Sequence, residues 1–254
     1  MKNILKKIIR FGYFSKQETN SRLNIIRDIE WDAIKEFIRN GSTFLDVGCG
    51  TGYSMKKAIN DFNCKTFGID PQPMLAGVKT DIIEDENFKI LKGVGENLPF
   101  GDNIFDIVFT SHVLEHVDDT SRVLQEIRRV LKSDGILILG VPTESLAWIS
   151  FFSQLIYTTH IRIARYIASF FIAVRKTKFI HIFIPYSHSD TNKTVLSDIM
   201  NYRVKNWRNL INKYFHINSE LLPALYGFAE FKIPLKIRKY GKYSSSVFFI
   251  CKKL

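Results

Sequence analysis

The spacing of apolar and polar positions divides the chain into alternating strand-like and helix-like stretches. Residues 43–47, TFLDV, are a short apolar run ended by glycines, which predicts a buried strand. Helical spacing follows over 54–59. Residues 64–69, 88–93, 103–110 and 136–141 read as four further strands, the last ended by Pro142. Between them, Pro71-Gln72-Pro73 opens a helix through Met74, Leu75 and Ala76. Residues 122–131 read as another helix, with Ser133-Asp134-Gly135 as its stop. Ahead of the first strand, Ile25, Ile26, Ile29, Ala33, Ile34, Phe37 and Ile38 predict a helix over 21–39, with Gly41 as its stop. Past Pro142, residues 192–213 are mostly helical in spacing, and 214–219 and 246–251 read as the last two strands. Strands that alternate with helices predict a doubly wound α/β sheet.

Composition adds an asymmetry. The 254 residues are 46% hydrophobic, enough for a sizeable core, and carry a net charge of +11. Residues 1–40 contribute +4, residues 41–142 contribute −5 and residues 143–254 contribute +12. The middle of the chain is acidic, and its flanks are cationic. Such flanks suit an anionic partner, whether phospholipid, a phosphorylated molecule or RNA, or else form a solvated face. Cys49, Cys64 and Cys251 show neither metal-ligand spacing nor a disulfide framework, which points to a reducing compartment. The opening residues, MKNILKKIIRFGYF, interrupt their apolar positions with Lys6, Lys7 and Arg10. They read as a short basic amphipathic helix rather than a secretory leader.

Residues 145–189 contain no Asp or Glu, and they hold Arg162, Arg165, Arg175, Lys176 and Lys178 among many large apolar side chains. The run 146–161 is free of charge, but it is shorter than the about 20 apolar residues that span a bilayer. It also holds Ser, Gln, Thr and His. The pattern fits a helical hairpin in a membrane interface, or a cap over an active site.

The candidate chemistry starts at FLDVGCGTGY, residues 44–53. Strand, glycine loop and helix place a ligand at the carboxyl end of the strand. The dinucleotide spacing G-x-G-x-x-G fails, since its third position falls on Tyr53. Gly48, Gly50 and Gly52 instead fall at every second residue, and Asp46 lies at the strand end. A carboxylate there repels a pyrophosphate and can hold a cationic amine. Asp70, 20 residues past Gly50, ends the second strand, where it can accept two hydrogen bonds from a ribose diol or cap the next helix.

With this D-x-G-x-G-x-G motif the chain resembles the class I S-adenosylmethionine-dependent methyltransferases, of the methyltransferase type 11-like group. The resemblance covers residues 40–142 and touches the last strands loosely. It implies a Rossmann-like, doubly wound, seven-stranded, mostly parallel sheet with an inserted apolar, basic helical cap. It divides one domain into N-terminal helices (1–40), a cofactor-binding core (41–142), a cap insertion (143–190), and a C-terminal helix with the last strands (191–254). It also implies S-adenosylmethionine as cofactor. Asp46, Gly48, Cys49 and Gly50 would lie at its amino-acid end, Asp70 and Pro71 at the ribose, Gly95 and Glu96 at the adenine, and Ser111 near the methionine half. The family's G-D-A-x-x-L-P-F stretch reads G-V-G-E-N-L-P-F here. Val94 stands where an acidic residue takes the adenine amino group, and Glu96 falls two residues later.

Methyl transfer from a sulfonium needs an aligned nucleophile and exclusion of water. For a hydroxyl acceptor His112 is the candidate base, its imidazole titrating near neutrality. It could instead shape the pocket or bond to the cofactor's carboxylate. His112, Glu115 and His116 fall at i, i+3 and i+4, so on a helix they would share a face. Quinone-pathway O-methyltransferases carry a similar cluster with an acidic residue in place of His112. Glu115 and His116 are thus alternative metal ligands. The expected acceptor is a small or lipid-linked hydroxyl compound, such as a quinone or glycan. The rivals are a tRNA methyltransferase and a non-catalytic, cofactor-binding scaffold of a membrane complex. The expected setting is cytoplasmic, peripheral on an anionic membrane surface.

Overall fold

The computed structural model describes residues 15–72, 87–171, 183–185, 187, 194–227, 238–239 and 243–254. The basic start (1–14) and the helix expected after Pro73 lie outside them. In chain order the elements are α1 (Lys16–Ile34), a 3-10 turn (Lys35–Phe37), β1 (Thr43–Val47), α2 (Tyr53–Phe62), β2 (Lys65–Asp70), β3 (Phe88–Lys92), β4 (Phe105–Ser111), α3 (Thr120–Val130), β5 (Leu131–Pro142), α4 (Glu144–Phe171), α5 (Val195–Asn201), α6 (Val204–Ile211), β6 (Phe215–Leu221), β7 (Ala224–Leu225), β8 (Arg238–Lys239) and β9 (Ser246–Lys253). They group into two compact units. One takes residues 31–141, 204–221 and 247–254; the other takes residues 1–30, 142–203 and 222–246.

The first unit holds a seven-stranded sheet in the order β3-β2-β1-β4-β5-β9-β6. The pairs β1–β2, β1–β4, β2–β3 and β4–β5 are parallel, and β6–β9 is antiparallel. This is the Rossmann-like, mostly parallel sheet expected from the alternating pattern. One face is held by Phe44, Phe109 and Phe248, whose rings stack in a row at centroid distances of 5.9 and 6.4 Å. Gly140 of β5 leaves room for the last ring, since a Cβ there would lie 2.5 Å from Phe248 Cε1. Trp31, Ile34, Ile38, Ala58 and Cys64 complete this cluster. Elsewhere Phe67, Phe100 and Phe105 meet edge to face at 4.9–5.8 Å. Asp106 ties β1, β4 and β5 together: it accepts from the Thr43 N–H (2.8 Å), the Thr43 hydroxyl (2.6 Å) and Lys132 Nζ (2.7 Å). Helix α3 is capped by Asp119, whose side chain accepts from the Arg122 N–H at 2.9 Å.

Several expected boundaries move. The helix expected over 21–39 starts earlier, at Lys16, and gives way to the 3-10 turn after Ile34. Strand β5 begins at Leu131 rather than Ile136, because Leu131 already pairs with Phe105 and a register shift absorbs the polar residues between. Past Ser111, residues 112–117 form turns and no helix. His112 sits at φ +56°, a left-handed backbone that a right-handed helix cannot contain. The single helix expected over 192–213 is split in two around Tyr202 and Arg203.

In the second unit α4 runs unbroken for 28 residues, so the described part of the insertion is one long helix; a returning arm of a hairpin would fall outside the described residues. α4 packs against α5. Ile26, Ile29, Leu146, Ala224 and Tyr226 form this unit's small core. Beside it the buried Glu30 accepts from the Tyr226 hydroxyl (2.7 Å) and from Ser246 Oγ (2.6 Å). Among the described residues no helix is long and apolar enough to cross a membrane.

Candidate active site

The candidate residues collect at the carboxyl ends of β1, β2 and β4. β1 lies between β2 and β4, the point where the strand order reverses and where sheets of this kind bind their ligands. The loop after β1 is hooked onto β2: the Gly48 and Cys49 N–H groups both donate to the Ile69 carbonyl, at 2.7 and 3.1 Å. The Gly50 N–H donates to Asp70 Oδ2 (2.9 Å), and Asp70 Oδ1 accepts from the Gln72 N–H (2.8 Å). Asp70 therefore fixes the loop as well as ending the strand. Each of its oxygens keeps a further lone pair that a ligand hydroxyl can use. Asp46 is buried at the end of β1, and Pro71 is exposed just past β2.

The loop glycines answer to different neighbours. At Gly48, φ is +81° and a Cβ would lie 2.1 Å from Val113 Cγ2, so the loop after β4 presses directly on the loop after β1. At Gly50, φ is +50° and a Cβ would meet nothing within 4 Å. Open space above a backbone turn, beside two carboxylates, fits the amino-acid end and ribose of S-adenosylmethionine. Asp46 suits the amine, Asp70 the ribose diol, and Gly50 the close approach. Cys49 contributes backbone rather than thiol. Its buried Sγ would lie 2.7 Å from a Cβ on Gly68, and burial pushes the thiol well above its ordinary range, with Asp46 and Asp70 adding to the effect. It stays protonated and is no nucleophile.

In the loop after β3, a Cβ on Gly95 would touch Val47 and Val123 at 3.2–3.3 Å, which brings this loop against the end of β1. Glu96 is half-buried there, and its carbonyl accepts from Arg122 Nε at 3.2 Å.

Ser111 ends β4, and the N–H of the next residue, His112, donates to the Gly140 carbonyl (3.0 Å). The next turn closes with the His116 N–H on the Val113 carbonyl (2.9 Å). The turn thus gathers His112, Glu115 and His116 without a helix. The Glu115 side chain is 1% exposed, and neither of its carboxylate oxygens has a hydrogen-bond partner among the described residues. His112 Nδ1 stands 3.4 Å and His116 Nε2 4.0 Å from Glu115 Oε1. His112 itself is 31% exposed, so its imidazole has the carboxylate on one side and access to solvent. No group of three or more His, Cys, Asp or Glu among the described residues is arranged to hold a metal ion. Two residues that the sequence does not flag join the site. Val113 sets the separation of the two loops. Thr110, at the end of β4, buries an Oγ1 with no hydrogen-bond partner among the described residues.

Comparison with known proteins agrees with this geometry. A family profile for the methyltransferase domain matches residues 45–139. A demethylmenaquinone methyltransferase of Staphylococcus aureus is 34% identical over 142 residues, 54% of this chain and 56% of that protein. A mitochondrial arginine-hydroxylase of Rattus norvegicus is 31% identical over 137 residues, 51% of this chain and 35% of that protein. A crystal structure of a SAM-dependent methyltransferase from Thermotoga maritima superposes with a TM-score of 0.52 at 18% identity, covering 92% of this chain and 94% of that one, a likeness of fold. The chain spans about half the length, or less, of the curated relatives that it matches. The glycine loop, its two carboxylates and the seven-stranded sheet order thus lie in a region that matches a methyltransferase-domain profile, on a fold like that of known SAM-dependent methyltransferases.

Proposed function

We propose that this chain transfers a methyl group from S-adenosylmethionine to a hydroxyl oxygen of an amphipathic, lipid-linked acceptor, with His112 as the general base. The observation that carries the reading is the part-exposed imidazole of His112 at the end of β4, backed at 3.4 Å by the buried carboxylate of Glu115. The cofactor, when bound, supplies a methyl already activated on a sulfonium, and its remainder leaves as neutral S-adenosylhomocysteine. The chain does the rest. Asp46 holds the amine, Asp70 the ribose, and Glu96 with the Gly95 backbone the adenine; Ser111 lines the methionine half. His112 takes the proton that the acceptor hydroxyl gives up as its oxygen forms the new bond to carbon. A buried carboxylate with no hydrogen-bond partner is costly, and a neighbouring imidazolium relieves that cost. Glu115 Oε1 stands 3.4 Å from His112 Nδ1, where the carboxylate can orient the ring. The lipid-linked nature of the acceptor is supported by the apolar, carboxylate-free stretch 145–189 and by the likeness to the S. aureus demethylmenaquinone methyltransferase.

The test is release of S-adenosylhomocysteine, with tritiated cofactor and either a membrane lipid extract or bulk tRNA as acceptor. Label is expected in the lipid fraction. His112→Ala should lower kcat by about 10²–10⁴, with cofactor affinity changed only slightly. Label in tRNA, or an unchanged kcat in the variant, would sink this reading.

A further inference from the structure

Helix α4 buries Leu146 and Ala147 at its start, and past them its described buried residues are polar. Its buried side carries Ser150, Ser153, Thr158 and Arg162. These groups bond back onto the helix itself: Thr158 Oγ1 donates to the Gln154 carbonyl (2.7 Å), Gln154 Nε2 donates to Ser150 Oγ (2.9 Å), and Arg162 donates to the Gln154 carbonyl (2.9 Å) and to Thr158 Oγ1. Its outward side carries Trp148 (46% exposed), Phe152 (54%), Ile156 (67%) and Ile163 (41%), with Leu155 between them. At a rotation of about 100° per residue these five fall within one stripe about 100° wide, which runs for about 22 Å. Trp148 and Phe152 stack at 6.0 Å, and Phe151 meets both rings edge-on. A surface helix ordinarily turns such a stripe to the core. A continuous apolar stripe left outside marks an interaction surface.

Charge says what it meets. The unit that contains α4 carries 19 basic and 7 acidic residues, a net of +12, whereas the sheet-bearing unit carries 17 and 18. The whole cationic excess therefore travels with the helix that exposes apolar and aromatic side chains, and no carboxylate occurs from 145 to 189. An apolar stripe headed by Trp and Phe, on a cationic body, fits the headgroup region of an anionic bilayer. A folded protein partner accounts for the stripe and leaves the charge unexplained. A nucleic acid accounts for the charge and leaves Ile156 and Ile163 unexplained.

The geometry points to α4 as an in-plane membrane anchor, which docks its Trp148–Ile163 stripe into an anionic phospholipid surface. This is separate from methyl transfer, and its test needs no turnover. The chain has three tryptophans, of which Trp31 and Trp207 are buried, so Trp148 is the environment-sensitive reporter. The full chain is titrated with vesicles of equal parts phosphatidylglycerol and phosphatidylcholine, and with phosphatidylcholine alone. Trp148 emission should move to the blue with the mixed vesicles and be quenched by brominated acyl chains, with little response to phosphatidylcholine alone. The Phe152→Ser, Ile156→Ser double variant, altered only at exposed positions, should lose roughly tenfold or more in vesicle affinity. Trp148→Phe should still sediment with vesicles while losing the spectral shift. No shift with anionic vesicles would overturn the inference. So would equal affinity in the double variant, which would mean attraction by charge alone. So would a blue shift that rises with protein concentration without lipid, which would make a second copy the occupant.

Discussion

Replacing Gly48 with alanine places a Cβ 2.1 Å from Val113 Cγ2, and 3.2 and 3.3 Å from Cγ1 and Cβ of the same residue. Carbon atoms rest at about 3.5–4.0 Å, so the two loops would have to part by about 1.5 Å. Two costs follow. A left-handed backbone at φ +81° costs an alanine about 1–2 kcal/mol. Overpacking against Val113 adds about 1–3 kcal/mol. The sum of about 2–5 kcal/mol is a large share of a typical domain's stability of about 5–15 kcal/mol. The second cost depends on Val113 and the first does not, so a double-mutant cycle separates them. In a Val113→Ala background only the Cβ contact at 3.3 Å remains, and Gly48→Ala should cost about 1–2 kcal/mol. Urea denaturation of the four proteins gives the coupling, expected at about 1–3 kcal/mol with unchanged m-values. A cost for Gly48→Ala that is equal in both backgrounds within about 0.5 kcal/mol would refute the contact between the loops.

Three further outcomes are expected. Gly50→Ala meets no atom within 4 Å and should cost the fold only about 1–2 kcal/mol for its φ of +50°, yet calorimetric affinity for S-adenosylmethionine should fall at least tenfold, because the methyl fills the space read as the ligand's. Asp106 and Glu126 should make the fold acid-labile. Burial pushes the Asp106 carboxyl up, but bonds from Lys132 and Thr43 outweigh it and hold it below its ordinary 3.8, while Arg129 holds Glu126 below 4.5. Both native values are depressed, so this stabilisation is present above pH 4.5 and is lost as pH falls through the lowered values; thermal melts should show Tm dropping below about pH 4.5, and less so in Asp106→Asn. Thiol reactivity should be slow in the native state at pH 8, because burial pushes Cys49 and Cys64 up and takes Cys251 to about 12; fast labelling of the native protein would contradict that packing.

The parallel strands could be read from the sequence because each is a short apolar run, most of them closed by glycine or proline, and their alternation with helices predicts a doubly wound sheet. Asp46, Gly48, Gly50 and Asp70 were equally legible, since close approach and strand-end carboxylates leave their residue types in the chain. What stayed hidden depends on partners distant in sequence. Ser133-Asp134-Gly135 looks like a helix stop, and only the pairing of Leu131 with Phe105 and the bond from Lys132 to Asp106 makes it strand. His112 looks helical by spacing, and its left-handed turn is set against the Gly140 carbonyl. The three-residue spacing of Glu115 suggested a metal ligand. The structure adds what the spacing does not show: the Glu115 side chain is buried, with His112 Nδ1 at 3.4 Å and His116 Nε2 at 4.0 Å. In α4 an apolar, charge-poor run announced a greasy segment correctly, but composition cannot say which side of a helix faces out.

The place of β9 has a consequence for how the molecule comes into being. It lies between β5 and β6 in the sheet, yet it follows β6 in the chain, across residues 222–245. During vectorial synthesis β6 emerges with no neighbour to pair with, and it waits until the ribosome has delivered β9. The rate of sheet closure is then governed by a late, sequence-distant docking step, the slow kind in which unpaired strand edges invite off-pathway association. A brief pause in translation after Leu221 would lengthen exactly that exposure of β6, and a chaperone that shields a lone strand would shorten it.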